Sequence, residues 1–208
     1  YMASGNQPQR VSTIAVEQAL KSSTNLAGAT MWTYQIEGHE FVGINAPGLS
    51  TTWVYDAALQ QWHERAEWDA EWQPLRSNLV TAYAGYHFAG NSYGKLVRLD
   101  STVNNLSGRP LVRERTWPHI KSGAMESLSF LGVELSMNTG YGGTVTLEIS
   151  NDGGKTFGPK LFRSLGAIGR WMQKVRWLGL GSAYSRVFRI RCSDDVPFSI
   201  YGAVVDAK

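Results

Sequence analysis

Gly38-His39-Glu40-Phe41-Val42-Gly43 returns as Gly85-Tyr86-His87-Phe88-Ala89-Gly90. Downstream of each copy an apolar run ends in aspartate: Trp53-Val54-Tyr55-Asp56, then Leu96-Val97-Arg98-Leu99-Asp100. The leading glycines stand 47 positions apart and the closing aspartates 44. A strand-turn-strand unit that repeats every roughly 40–50 residues marks a β-propeller blade. Such a unit cannot bury its apolar face alone and needs at least about three neighbours; this chain shows about two. It therefore reads as the tail end of a larger propeller protein whose earlier blades are lacking, and the opening Tyr1-Met2 fits a fragment.

Composition agrees with a β-protein. Glycine is abundant, at 22 of 208 residues, and 8 Trp, 9 Tyr and 7 Phe supply large rigid surfaces for packing. One cysteine, Cys192, excludes an intrachain disulfide. It alternates with Phe188 and Ile190, which reads as a buried, inert thiol. No apolar run approaches the roughly 18 residues of a membrane-spanning helix. Residues 1–117 carry 9 Lys and Arg against 10 Asp and Glu, residues 118–208 11 against 7. The surplus of the second part permits an acidic partner without demanding nucleic acid.

Residues 13–22 form the one good helix candidate: Thr13 caps, Val16, Ala19 and Leu20 share a face, and Glu17 and Lys21 stand in the favourable i,i+4 order. Strands follow at 31–36, 40–44, 52–55 and 62–65, then 79–84, 86–90 and 94–100, with a polar loop over 104–110. The blade pattern stops near Pro118. Beyond it Leu128-Ser129-Phe130 alternates, then Val133 to Met137 alternates in the other phase, and the slip at Leu131-Gly132 predicts a bulge. Strands at 145–149, 175–177, 188–192 and 198–201 complete a β-sandwich of about 90 residues. The expected fold is all-β: terminal propeller blades over 1–117, then a sandwich over 118–208.

Ser150-Asn151-Asp152-Gly153-Gly154-Lys155-Thr156-Phe157 resembles the Asp-box, S-x-D-x-G-x-T-W/F. Its mechanics are local: Asp152 caps turn amides between Ser150, Gly154 and Thr156, and Phe157 packs beneath. Sialidases carry this box away from their chemistry, and so do many non-enzymes. His63-Glu64-Arg65 with Asp56 and Trp62 is the densest polar cluster. As an enzyme site it would offer Glu64 or Asp56 as acid/base and His63 as shuttle. As framework, Asp56 caps its turn and Arg65 pairs with a carboxylate. No nucleophile has a positioned base, so no catalytic residue is assigned. His39, His63, His87 and His119 lack metal-ligand spacing, so no metal is expected, and no cofactor motif appears. Arg163, Arg170, Lys174, Arg176, Arg186, Arg189 and Arg191, interleaved with Trp171 and Trp177, suit a protein interface or a solvated sandwich face. Within that set Arg170, Trp171, Lys174 and Arg176 are the candidate partner contact, on a segment that Gly166 and Gly169 would make flexible.

Three stretches carry a family resemblance: Thr51 to Asp56 running on to Trp62-His63-Glu64-Arg65; Val112-Arg113-Glu114-Arg115-Thr116-Trp117-Pro118-His119; and Gly166-Ala167-Ile168-Gly169-Arg170-Trp171 through Val175-Arg176-Trp177 to Leu180–Arg189. Together they resemble the C-terminal part of the packaged-DNA stabilisation proteins, the tail-hub or head-completion proteins, of short-tailed, tailspike-bearing bacteriophages. The resemblance implies a structural virion protein, made in the host cytoplasm, that closes the portal channel over packaged DNA. It implies a hexameric ring that meets the portal adaptor on one side and needle or tailspikes on the other, with a DNA contact open. The alternative, from the Asp-box, the propeller period and the tryptophans, is a carbohydrate-binding or sialidase-like propeller protein.

Overall fold

A computed structural model describes every residue of the chain except 1, 5, 6, 92, 93, 124 and 125. Contacts divide it into two compact units, Tyr1–Val103 and Asn104–Lys208. Among the described residues there is one α-helix, Ile14–Lys21; the rest of the regular structure, a short 3-10 turn at Leu26–Gly28 aside, is antiparallel β. No helix among the described residues is long and apolar enough to cross a membrane.

In the first unit Thr13 caps the helix, its hydroxyl accepting from the Val16 amide at 3.4 Å, and Val16 is fully buried. Glu17 is held by Arg10 and by the Ser12 hydroxyl, at 2.8 and 2.6 Å, rather than by Lys21 alone. A five-stranded meander follows: Thr30–Ile36, His39–Asn45, Thr52–Asp56, Gln61–Asp69 and Glu71–Pro74. A three-stranded one comes next: Ser77–Tyr83, Tyr86–Asn91 and Leu96–Leu99. The first strands of the two meanders lie side by side.

The repeated glycines explain the first hairpin of each meander. Glu37 and Gly38 have φ of 52° and 81°, Ala84 and Gly85 of 49° and 79°. Both are two-residue turns with two left-handed residues, the type whose twist matches that of the flanking strands. Ser107 and Gly108 repeat the turn and join Asn105–Leu106 to Arg109–Pro110 where a plain loop was expected. The repeated aspartates act alike. Asp56 accepts from the amides of Ala58 and Leu59 at 3.0 and 3.1 Å, and Asp100 from the amide of Thr102 at 3.0 Å.

The second unit is a sandwich. One sheet runs Arg113–Thr116, Ser185–Cys192, Thr144–Ser150, Leu161–Ser164, with Ile120–Lys121 also on Ser185–Cys192. The other is built on Leu128–Met137, flanked by Val175–Leu178 and Ile200–Ala207 and joined at its start by Ser182–Ala183. Alternate residues of both enter one core, including Phe130, Leu135, Leu147, Trp177, Phe188 and Ile190. The register shifts between Phe130 and Gly132, the bulge expected from the phase slip. Cys192 is buried in the same core, and burial pushes its thiol up from the ordinary range. The Trp177 indole donates to the Leu161 carbonyl at 2.8 Å and the Arg163 guanidinium to that of Arg176 at 2.8 Å. These two bonds fasten the facing edges of the sheets.

Arg113–Thr116 pairs with Cys192 back to Arg189, so the second unit's first sheet begins ahead of Pro118, where the sequence suggested a boundary. That strand is mostly exposed and charged, so it has no apolar alternation to read.

Candidate functional site

In the first unit the polar cluster is closed on itself. Asp56, almost fully buried, receives two turn amides and lies 2.8 Å from His39 Nδ1. Burial raises its carboxyl, but the bonds from Leu59, His39 and Ala58 outweigh this and hold it below the ordinary range. Arg65 meets no carboxylate. It donates to His63 Nε2 at 3.1 Å and to the Tyr34 hydroxyl, and lies over the Phe41 ring, 4.9 Å from its centroid. An acceptor Nε2 requires neutral His63, and burial with the neighbouring Arg65 cation pulls its pKa to about 4. Asp56 and His63 therefore face framework partners, and Glu64, on the same strand, is exposed. Among the described residues no group of His, Cys, Asp and Glu could hold a metal ion.

In the second unit the 150–157 segment is a hydrogen-bonded turn. Asp152 accepts from the Ser150 hydroxyl at 2.7 Å, the Lys155 and Thr156 amides at 3.0 and 2.9 Å, and the Thr156 hydroxyl at 2.5 Å. The Gly154 amide donates to Ser150 Oγ at 2.8 Å. These donors, the Ser150 hydroxyl first, hold the Asp152 carboxyl well below the usual carboxylate range. The Phe157 ring lies 3.5 Å from the Arg189 guanidinium carbon. Every carboxylate oxygen is turned inward to the turn.

The basic residues separate into distinct roles. Arg186, 4 % exposed, reaches the carbonyls of Leu180, Gly181 and Ser182, bonds Asn151 and covers the Phe130 ring. Arg189 pairs with Glu148 at 2.9 Å, and Arg191 with Glu114. Lys174 and Arg176 share Glu134, at 3.3 and 2.7 Å. Arg170 has no carboxylate partner among the described residues. Of the four contact residues expected from sequence, the structure therefore brings Lys174 and Arg176 together on Glu134 and places Arg170 and Trp171 on a loop.

That loop is tied down rather than flexible. The Gly140 amide donates to the Leu165 carbonyl at 3.1 Å, the Gly169 amide to that of Gly140 at 2.9 Å, and the Gln173 amide to Thr139 Oγ1 at 3.1 Å. Trp171 lies across Gly140 and meets Tyr141 edge to face with centroids 5.1 Å apart. Yet the loop displays its apolar side chains: Ile168 is 86 % exposed, Trp171 58 % and Met172 95 %. Met172 also has φ of 61°, a left-handed conformation that costs a side-chain-bearing residue about 1–3 kcal/mol. Trp177, by contrast, is core, 1 % exposed. Sequence reading missed Tyr141, Ile168 and Met172. The readable signal was the absence of any Asp or Glu across residues 153–193, a stretch that carries nine Lys and Arg.

The sandwich thus carries a pinned loop that displays apolar and basic side chains. Residues 113–208 match the family described as bacteriophage P22 Gp10, beta-sandwich. Over those residues the match supports a phage structural domain. No curated protein matches the chain. Among solved structures, the exo-β-1,3-galactanase of Phanerochaete chrysosporium with galactose is similar at 10 % identity and a TM-score of 0.30, over 89 % of this chain and 58 % of that one. A glycoside hydrolase family 43 arabinoxylan arabinofuranohydrolase from Bacillus subtilis is similar at 9 % and 0.28, over 86 % and 53 %. Likenesses this weak carry no argument, and the chain spans little more than half the length of either enzyme.

Proposed function

We propose that the chain is the C-terminal part of a bacteriophage tail-hub protein that closes the portal channel and stabilises packaged DNA. In this reading the two meanders are terminal propeller blades, with the sandwich following. Identical copies form a ring joining the portal adaptor to needle or tailspikes. The protein is made in the host cytoplasm, ends in the virion and has no enzymatic role. The observation that carries it is the match of residues 113–208 to a phage sandwich family. The side-by-side first strands of the meanders favour the blade arrangement. The Arg170–Arg176 segment is the contact with a neighbouring tail protein, because Trp and Arg are the residue types that anchor interfaces.

The test is genetic. Removing the full-length protein from the phage should leave particles that package DNA and then lose it. Purified virions that lack the protein yet keep their DNA and infect normally would defeat the proposal.

A further inference from the structure

At the loop Gly166–Gln173, with Tyr141 beside it, rigidity, exposed apolar surface and unbalanced charge coincide. Exposed apolar side chains are normal when scattered; a cluster marks a contact. Here Ile168 and Met172 stand almost wholly in solvent and Trp171 more than half so. Trp171 is also pre-set: it has Gly140 beneath it and the Tyr141 ring against it. A side chain ordered before binding loses less entropy on binding. The backbone bonds to Thr139 and Gly140 extend that order to the whole loop.

Charge narrows the occupant. Arg170 has no carboxylate among the described residues, and Lys174 and Arg176 divide one, Glu134. With no acid between Asp152 and Asp194, the loop and the strand after it leave cations to be matched from outside. A duplex backbone would match the charge but leave Ile168, Trp171 and Met172 in water, because phosphates offer no apolar surface. A protein surface matches both.

We infer that this loop is a preformed knob for an apolar hollow ringed by carboxylates on another virion protein. The inference rests on the reading of the chain as a virion component. Trp171, Ile168 and Met172 fill the hollow; Arg170 and Lys174 meet its acidic edge. Steering by the charges speeds encounter, and the desolvated indole governs dissociation.

The experiment places the photo-reactive residue p-benzoylphenylalanine at position 172 of the full-length protein. Position 172 is chosen because Met172 is 95 % exposed and its replacement removes no core contact. Virions are assembled, irradiated and digested, and the linked peptides are sequenced. The expected product is one peptide of one partner protein, with Asp or Glu flanking apolar residues. Arg170→Glu should lower incorporation about tenfold or more, as loss of a central anchor does, and Arg170→Lys should restore most of it. Changing a carboxylate at the linked site to lysine should rescue Arg170→Glu. Links only to DNA, or a linked peptide without acidic residues, would overturn the inference. So would normal incorporation of Arg170→Glu. Flotation of the protein with vesicles containing 30 % phosphatidylglycerol, lost on Met172→Asp, would reassign the loop to a lipid surface and overturn it too. Absence of the protein from virions would instead defeat the functional reading beneath it.

Discussion

The indole of Trp171 occupies the space that a side chain on Gly140 would need: a Cβ there would stand 2.5 Å from the ring. Gly140 is also left-handed, at φ 89°. Gly140→Ala should therefore cost about 1–3 kcal/mol through strain and crowding, and should shift Trp171 off Tyr141. Trp171→Ala removes a mostly exposed ring and should cost less. Urea unfolding followed by tryptophan fluorescence checks the order; equal stability of Gly140→Ala and wild type would show that the ring is not held there.

Arg186→Met should be strongly destabilising, by about 2–4 kcal/mol, because a buried guanidinium that bonds three carbonyls and Asn151 is lost at once. Arg176→Met, on an exposed strand face, should cost far less. Chemical denaturation of the two variants compares them directly.

Asp152→Asn should lower the unfolding temperature, since an amide cannot accept all four of the turn's donors. The pH dependence has a definite sign. The folded carboxyl is held below the ordinary 3.8, so its stabilisation is present above that value and fades as pH falls beneath it. Wild type should thus lose more stability than Asp152→Asn between pH 4 and pH 2 in thermal melts.

His63 works in a different window. It stays neutral in the fold down to about 4, whereas the unfolded chain protonates near 6.5. Stability from this group is full above 6.5 and declines as pH drops toward 4. His63→Gln keeps an acceptor for Arg65 and cannot titrate, so melts of this variant should be flatter across pH 6.5 to 4.

No fluorogenic glycoside should be turned over above blank. Asp56 and His63 are engaged by Leu59, His39 and Arg65, and no pair of free carboxylates flanks a sugar-sized site in the cluster. Turnover abolished by Glu64→Gln would contradict this.

Much of the fold was legible because it is written in local chemistry. The X-Gly hairpins at Glu37-Gly38 and Ala84-Gly85, the capping aspartates Asp56 and Asp100, and the phase slip at Gly132 each need particular residues at particular backbone angles. Arg113–Thr116 and Leu161–Ser164 were not legible: both lie at the edge of their sheet and are largely exposed, so neither alternates. The site was half legible. Arg170 and Trp171 stood out by type, but Ile168 and Met172 resemble core residues in any sequence. Their exposure in the fold, on a loop whose Gly169 and Gln173 amides donate to Gly140 and Thr139, shows that they turn outward. Arg65 misled because a half-buried guanidinium ordinarily seeks a carboxylate, and here aromatic faces and a neutral imidazole replace it.

The acceptors chosen by Arg186 and by Arg189 differ in what a substitution can take away. Arg189 and Arg191 cross the sheet through the side chains of Glu148 and Glu114, so a change at either glutamate removes an attachment outright. Arg186 grips the peptide oxygens of Leu180, Gly181 and Ser182, which stay in place whatever side chains those positions carry. The outer face of the sandwich can therefore be rewired by sequence drift, while the corner around Leu180 keeps its clasp for as long as Arg186 itself is kept.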